Sequence, residues 1–329
     1  MLVAMSLLLS MPVEILLYIQ SFLYTLDNNF DHYGNKNNIL STRATCRQLA
    51  VIGEVAIFEH IKFVPDDEGF RRLSELAKSR LCRHVRMISC HFEIRRVGKS
   101  SKSTLLDKET RFQRLLEVAE KGTMGLANIL SLFQNLRAIN ICQNWASSWE
   151  LDSREAQALT ARPVACRLLE NVTHALATST CDITDLTLSS DRAFCPQWPF
   201  SIAAFHPYAP ETNELYQRAF GNLRRLKVVL PRIARDGVGE YGLNVRGLRA
   251  LIESSPQLEE LYLSIDMSFD YEPFDLDFAV PNLQRLTLDG LLLKDWGLLF
   301  TFLLKCRTAI ENVEFRRLSF VHDPLILSA

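Results

Sequence analysis

The sequence carries no local signature of catalysis, metal binding or membrane insertion. None of G-x-S-x-G, G-x-x-x-x-G-K-[ST] or H-E-x-x-H occurs in its 329 residues. The nucleophile elbow, the phosphate-cradling loop and the helical zinc pair are therefore missing. The eight cysteines include no C-x-x-C pair, and the seven histidines are scattered, with no two at metal spacing beside a cysteine pair. Neither sign of charge is in excess: 37 Lys and Arg face 38 Asp and Glu. That balance gives no electrostatic reason to expect a nucleic-acid or anionic-membrane partner. Long hydrophobic runs are missing too. The opening "MLVAMSLLLS" imitates a secretory leader, but it has no Lys or Arg and is too short to cross a bilayer; Glu14 and Gln20 interrupt its extension. The expectation is a chain that is not an enzyme, holds no cofactor or metal and works in the cytoplasm and/or nucleus with reduced cysteines.

What is present suits a folded protein. Hydrophobic residues make up 48% and charged residues 23%, enough for a core. "MPVEILLYIQSFL", from Met11, reads as a helix with Ser10 as N-cap and Pro12 in the first turn, where a missing N–H costs nothing. Val13, Ile15, Leu16, Leu17, Ile19, Phe22 and Leu23 put apolar side chains on more than one side of it. A polar loop, Asp27 to Asn38, separates it from a second helix over Ile39 to Ile61, broken near Gly53. A helical module of some fifty residues has too little interior to bury every one of these side chains. Each is either module core or a surface for a partner groove. A further amphipathic helix fits "VPDDEGFRRLSELAKS", with acids in its first turn.

A short repeat then appears. "LRAINI" from Leu136, "ITDLTL" from Ile183, "LRRLKV" from Leu223, "LEELYL" from Leu258, "LQRLTL" from Leu283 and "IENVEF" from Ile310 all read apolar-x-x-apolar-x-apolar, and "CRHVRM" from Cys82 is a weaker first copy. The intervals are 54, 47, 40, 35, 25 and 27 residues. The last two match the leucine-rich-repeat period of about 20–29, and the earlier ones need insertions. Each copy ends in the alternation of a half-buried strand. Helical segments lie between copies, for example Arg111–Phe133, Pro163–Thr178, Val245–Ser254 and Leu293–Cys306. Strand and helix in alternation predict an α/β fold: an irregular leucine-rich-repeat-like β/α solenoid with one curved parallel sheet and helices on its outer face.

The N-terminal segment resembles the F-box domain, whose usual form is Leu-Pro-x-Glu-Ile, a helix, then Leu-x-x-Arg-x-x-Cys-Arg-x-Leu. The matching positions are Met11, Pro12, Glu14, Ile15, Leu40, Arg43, Cys46, Arg47 and Leu49. Met11 replaces the usual Leu, and the Asp27–Asn38 loop is longer than usual. With the segment that follows, through "CRHVR", the chain resembles F-box and repeat proteins abundant in filamentous fungi. The resemblance implies two parts: an F-box-like helical module over 10–63 and a leucine-rich-repeat-like substrate-binding domain over 64–329. It implies the substrate-recognition subunit of an SCF-type ubiquitin ligase, bound to a Skp-type adaptor and through it to a cullin-RING core. The adaptor contacts expected are Met11, Pro12, Ile15, Ile19, Leu23, Leu40, Arg43 and Leu49. The alternative is a repeat-based interaction scaffold without adaptor function.

In each repeat the residues flanking the last two apolar positions should face the concave surface. They include four bases and four acids: Arg225, Lys227, Arg285 and Arg316 with Asp185, Glu260, Asp289 and Glu314. That mixture suits a protein or peptide better than a phosphate cleft. The substrate-binding residues expected are Arg225, Lys227, Glu260, Tyr262, Arg285, Asp289, Glu314 and Arg316. Three insertions, "CQNWASSWELDSREAQ", "DRAFCPQWPFSIAAFHPYAP" and "SIDMSFDYEPFDLDFAVP", are either binding loops or segments that pack over the core.

Overall fold

A computed structural model describes residues 54–55, 57–64, 67–94, 125–145, 172–190, 210–230, 241–265, 273–274 and 276–321. The predicted adaptor contacts, from Met11 to Leu49, lie outside them, as do the first two insertions beyond their flanking strand and helix residues.

Eight strands form one parallel sheet in which strands follow their order along the chain, β1-β2-β3-β4-β5-β6-β7-β9, with β8 alone skipped within that order. They are β1 (His60–Phe63), β2 (Met87–Ile94), β3 (Ala138–Trp145), β4 (Asp185–Ser190), β5 (Arg225–Leu230), β6 (Glu260–Ile265), β7 (Arg285–Asp289) and β9 (Asn312–Arg316). A second small sheet pairs β8 (Leu292–Leu293) with β10 (Ser319–Phe320). Parallel neighbours need a crossover, and among the described residues helices supply six of the seven, all but the one from β6 to β7. These helices are α1 (Asp67–Ala77), α2 (residues 125–131), α3 (residues 172–178), α4 (Pro210–Phe220), α5 (Tyr241–Glu253) and α6 (Trp296–Cys306). The protein is thus α/β, and all six repeat copies lie in one sheet, as their alternation predicts. None of the described helices is long and apolar enough to cross a membrane.

The alternation explains the layering. Along each strand one set of side chains points to the helices and the other away. The inward set is Ile88 and Cys90, Ile139 and Ile141, Leu186 and Leu188, Leu226 and Val228, Leu261 and Leu263, Leu286 and Leu288, all buried. Leu126 and Leu130, Ala175 and Leu176, Tyr216 and Phe220, Leu251 and Ile252, and Leu299 and Phe302 meet them from the helices. The first apolar position of each copy turns the chain into the strand. Leu136, Leu223, Leu258 and Leu283 are buried, and each donates its backbone N–H to the carbonyl three residues back. The polar residue just before that position clips neighbouring layers together. Asn135 donates to the Arg83 carbonyl at 2.6 Å, and Asn282 to the Pro256 carbonyl at 2.9 Å.

Three sequence expectations are corrected. The second helix does not run to Ile61: residues 57–58 are helical, but His60–Phe63 pairs with Met87–Cys90 as β1. "FEHIKF" carries the repeat spacing at Phe58, Ile61 and Phe63, so it is itself a copy, and the sheet begins inside the 10–63 segment. The Cys82 copy is out of register. Pairing of Met87 with Ala138 aligns Val85, Ile88 and Cys90 with Leu136, Ile139 and Ile141, so the repeat unit is "VRMISC". The last helix begins at Trp296 rather than Leu293, because Asp295 caps it, accepting from the Leu298 N–H at 2.8 Å, while Leu292–Leu293 pairs with β10. The described C-terminal part of the third insertion packs down: Phe274, Leu276, Phe278 and Val280 are buried, and the Phe278 ring meets Phe302 edge-on at 5.3 Å.

Candidate protein-interaction surface

The face turned away from the helices is ordered into rows, because the strands pair in parallel register. One row runs Ala138, Asp185, Arg225, Glu260, Arg285, Asn312. The next runs Asn140, Thr187, Lys227, Tyr262, Thr287, Glu314, and a third Cys142, Ser189, Val229, Ser264, Asp289, Arg316. All eight substrate-contact residues expected from sequence stand on this face, across β5, β6, β7 and β9.

Their charges alternate along the first row and satisfy one another. Arg225 donates to Asp185, and Arg285 to Glu260 at 2.9 Å. The Asp185 hydrogen bond, with Asp185, Glu260 and Glu259 nearby, raises the Arg225 pKa. Directly opposed unlike charges on neighbouring strands stabilise by about 0.2–1 kcal/mol each. In the second row the Lys227 ammonium lies 5.2 Å from the Tyr262 ring centroid, a cation–π contact. Arg316 donates to Glu314 at 2.8 Å.

Asp289 differs from the other seven. It is 5% exposed, and its carboxylate accepts a two-pronged fork from Arg317 at 2.8 and 2.9 Å and the Ser264 hydroxyl at 3.1 Å. The Arg317 fork holds its pKa below the usual carboxylate value. Its lone pairs are engaged inside the fold, which makes it a structural anchor rather than a contact residue. Arg317, which sequence reasoning missed, sits just past the last repeat strand at φ 50°, a left-handed backbone few non-glycine residues adopt.

Towards β2 the face changes character. His60 Nε2 and the buried Ser89 hydroxyl are 2.6 Å apart, and the Cys142 thiol lies 3.0 Å from the Ser189 hydroxyl. Burial pushes up the Cys90, Cys181 and Cys306 thiol pKa values, which disfavours the nucleophilic thiolate. Among the described residues no group of three His, Cys, Asp or Glu is arranged to hold a metal ion. The surface therefore offers mixed charge, hydroxyls and one exposed cation over an aromatic ring, a chemistry suited to polypeptide recognition. No family model matches the chain, and no curated protein is significantly similar to it.

Proposed function

We propose that the chain is the substrate-recognition subunit of an SCF-type cullin-RING ubiquitin ligase. An F-box module at the N-terminus docks a Skp-type adaptor, and the sheet domain, read as an irregular leucine-rich-repeat-like solenoid, holds a protein substrate. The subunit makes and breaks no bonds; it supplies proximity between a target lysine and the ubiquitin-carrying enzyme. The observation that carries the reading is the sequential, all-parallel order of eight strands presenting one aligned polar face, joined in the sequence to the Met11–Leu49 pattern. Lys227 and Tyr262 are the first choices for substrate contact, because Arg225 and Arg285 are each engaged by a neighbouring carboxylate.

The test is co-purification of the full chain with a Skp-type adaptor, and its reduction by Pro12→Ala combined with Ile15→Asp. A wild-type chain that retains no adaptor sinks the reading. A second reading, an interaction scaffold without adaptor binding, is favoured by two sequence departures, Met11 and the long Asp27–Asn38 loop. It would survive that result.

A further inference from the structure

The last layer of the sheet leaves apolar surface exposed, although one face of the Trp296 ring is stacked on Phe320 of β10 at 4.0 Å between centroids. On α6, Lys305 binds Asp277 at 2.9 Å, and the Asp277 carbonyl accepts from Arg249 of α5 at 2.9 Å, so this flank of α6 faces the preceding layer. Trp296, Phe300 and Leu304 recur at i, i+4 and i+8 on the opposite flank and are exposed, Phe300 by 63%. On β9, which closes the sheet order, all five residues are exposed. Val313 and Phe315 align with the buried Leu286 and Leu288. In earlier layers the strand positions aligned with Val313 and Phe315, such as Leu261 and Leu263 or Leu226 and Val228, are buried.

We propose that this surface is the interface of a two-fold dimer of the chain, formed by antiparallel pairing of β9 with β9 of a second copy. The hydrogen-bonding edge permits it. Asn312 donates its N–H to Gln284 at 3.0 Å, and the Arg316 carbonyl accepts from Gly290 at 3.0 Å, so residues 312, 314 and 316 turn their backbone groups towards β7. By alternation, Val313 and Phe315 turn theirs outward. A two-fold axis at Glu314 sets Val313 opposite Phe315 of the second copy, which is the hydrogen-bonded type of antiparallel pair and uses all four outward groups. The same axis brings the exposed flanks of the two α6 helices together on one side of the joined sheet. On the other side the two Glu314 carboxylates stand directly opposite, a like-charge cost offset by the Arg316 guanidinium that each already binds within its own copy. The self-complementary register, which sets apolar Val313 against apolar Phe315 on both sides of the axis, favours a second copy over an unrelated partner.

Sedimentation velocity of the full chain over a wide concentration range tests the proposal. A concentration-dependent dimer is expected. Val313→Pro removes an outward N–H that no bond to β7 uses, so it should abolish the dimer with an unchanged circular dichroism spectrum. Phe300→Glu, on the exposed helix flank, should do the same. A chain that stays monomeric throughout overturns the proposal and assigns the surface to another segment of the chain or another protein. A dimer that survives both substitutions overturns it as well, because the contact is then elsewhere.

Discussion

Asp289 is the most informative residue to perturb. Asp289→Ala removes three hydrogen bonds, two of them charge-assisted from Arg317. It also strips the acceptor from the hydroxyl of Ser264, a residue 2% exposed, and an unmet buried hydroxyl costs about 1–3 kcal/mol. The Arg317 side chain is 59% exposed, so water replaces part of the fork, and its loss stands near the low end of about 1.5–3 kcal/mol for bonds to charged groups. The two effects together predict a destabilisation of about 2.5–4.5 kcal/mol, with Asp289→Asn costing less because one oxygen remains. The pH dependence has a definite sign. The folded pKa of Asp289 is lowered, so its stabilisation is complete above the unfolded carboxylate value of about 3.9 and is lost as pH falls through the folded value. Urea unfolding at neutral pH and near pH 3 reads both effects. Wild type should lose more stability between the two than Asp289→Asn does. An alanine variant within about 0.5 kcal/mol of wild type at neutral pH would refute the anchor role, as would equal acid sensitivity of wild type and Asp289→Asn.

Three further outcomes follow from the packing. Leu263→Ala, at a fully buried position between Val228 and Leu288, should cost about 2–5 kcal/mol in urea unfolding. Arg225→Ala and Arg285→Ala should each cost less than about 1 kcal/mol, and a comparison at low and high salt should show that cost shrinking with screening. Gly221→Ala, just past α4, would place a Cβ 2.6 Å from the Gln217 carbonyl oxygen. A lowered thermal midpoint, equivalent to about 1–3 kcal/mol, is expected.

The strands were legible because they repeat one physical requirement. An apolar pair must face the helices on each strand, and a third apolar residue must turn the chain before it, so Leu258-x-x-Leu261-x-Leu263 announces itself. "FEHIKF" meets the same requirement, yet its aromatic residues and its place after a helical run concealed the spacing. In "CRHVRMISC" a second apolar triplet, Cys82, Val85 and Met87, competes with the true Val85, Ile88 and Cys90, and only strand pairing resolves the register. The polar face was readable residue by residue, since alternation dictates which side chains point outward. Its internal pairing was not: the opposition of Arg225 to Asp185 depends on aligning strands separated by 40 residues. Arg317 lies beyond the repeat unit, so no periodicity marked it, and the left-handed turn that aims it at Asp289 has no glycine to signal it.

The most direct test of the central claim is calorimetric titration of the full chain with a purified Skp-type adaptor, run beside Pro12→Ala/Ile15→Asp and Lys227→Glu/Tyr262→Ala variants. The account predicts saturable binding by wild type and by the Lys227/Tyr262 variant, and loss of binding by the Pro12/Ile15 variant. Absence of adaptor binding by a folded wild-type chain would contradict it.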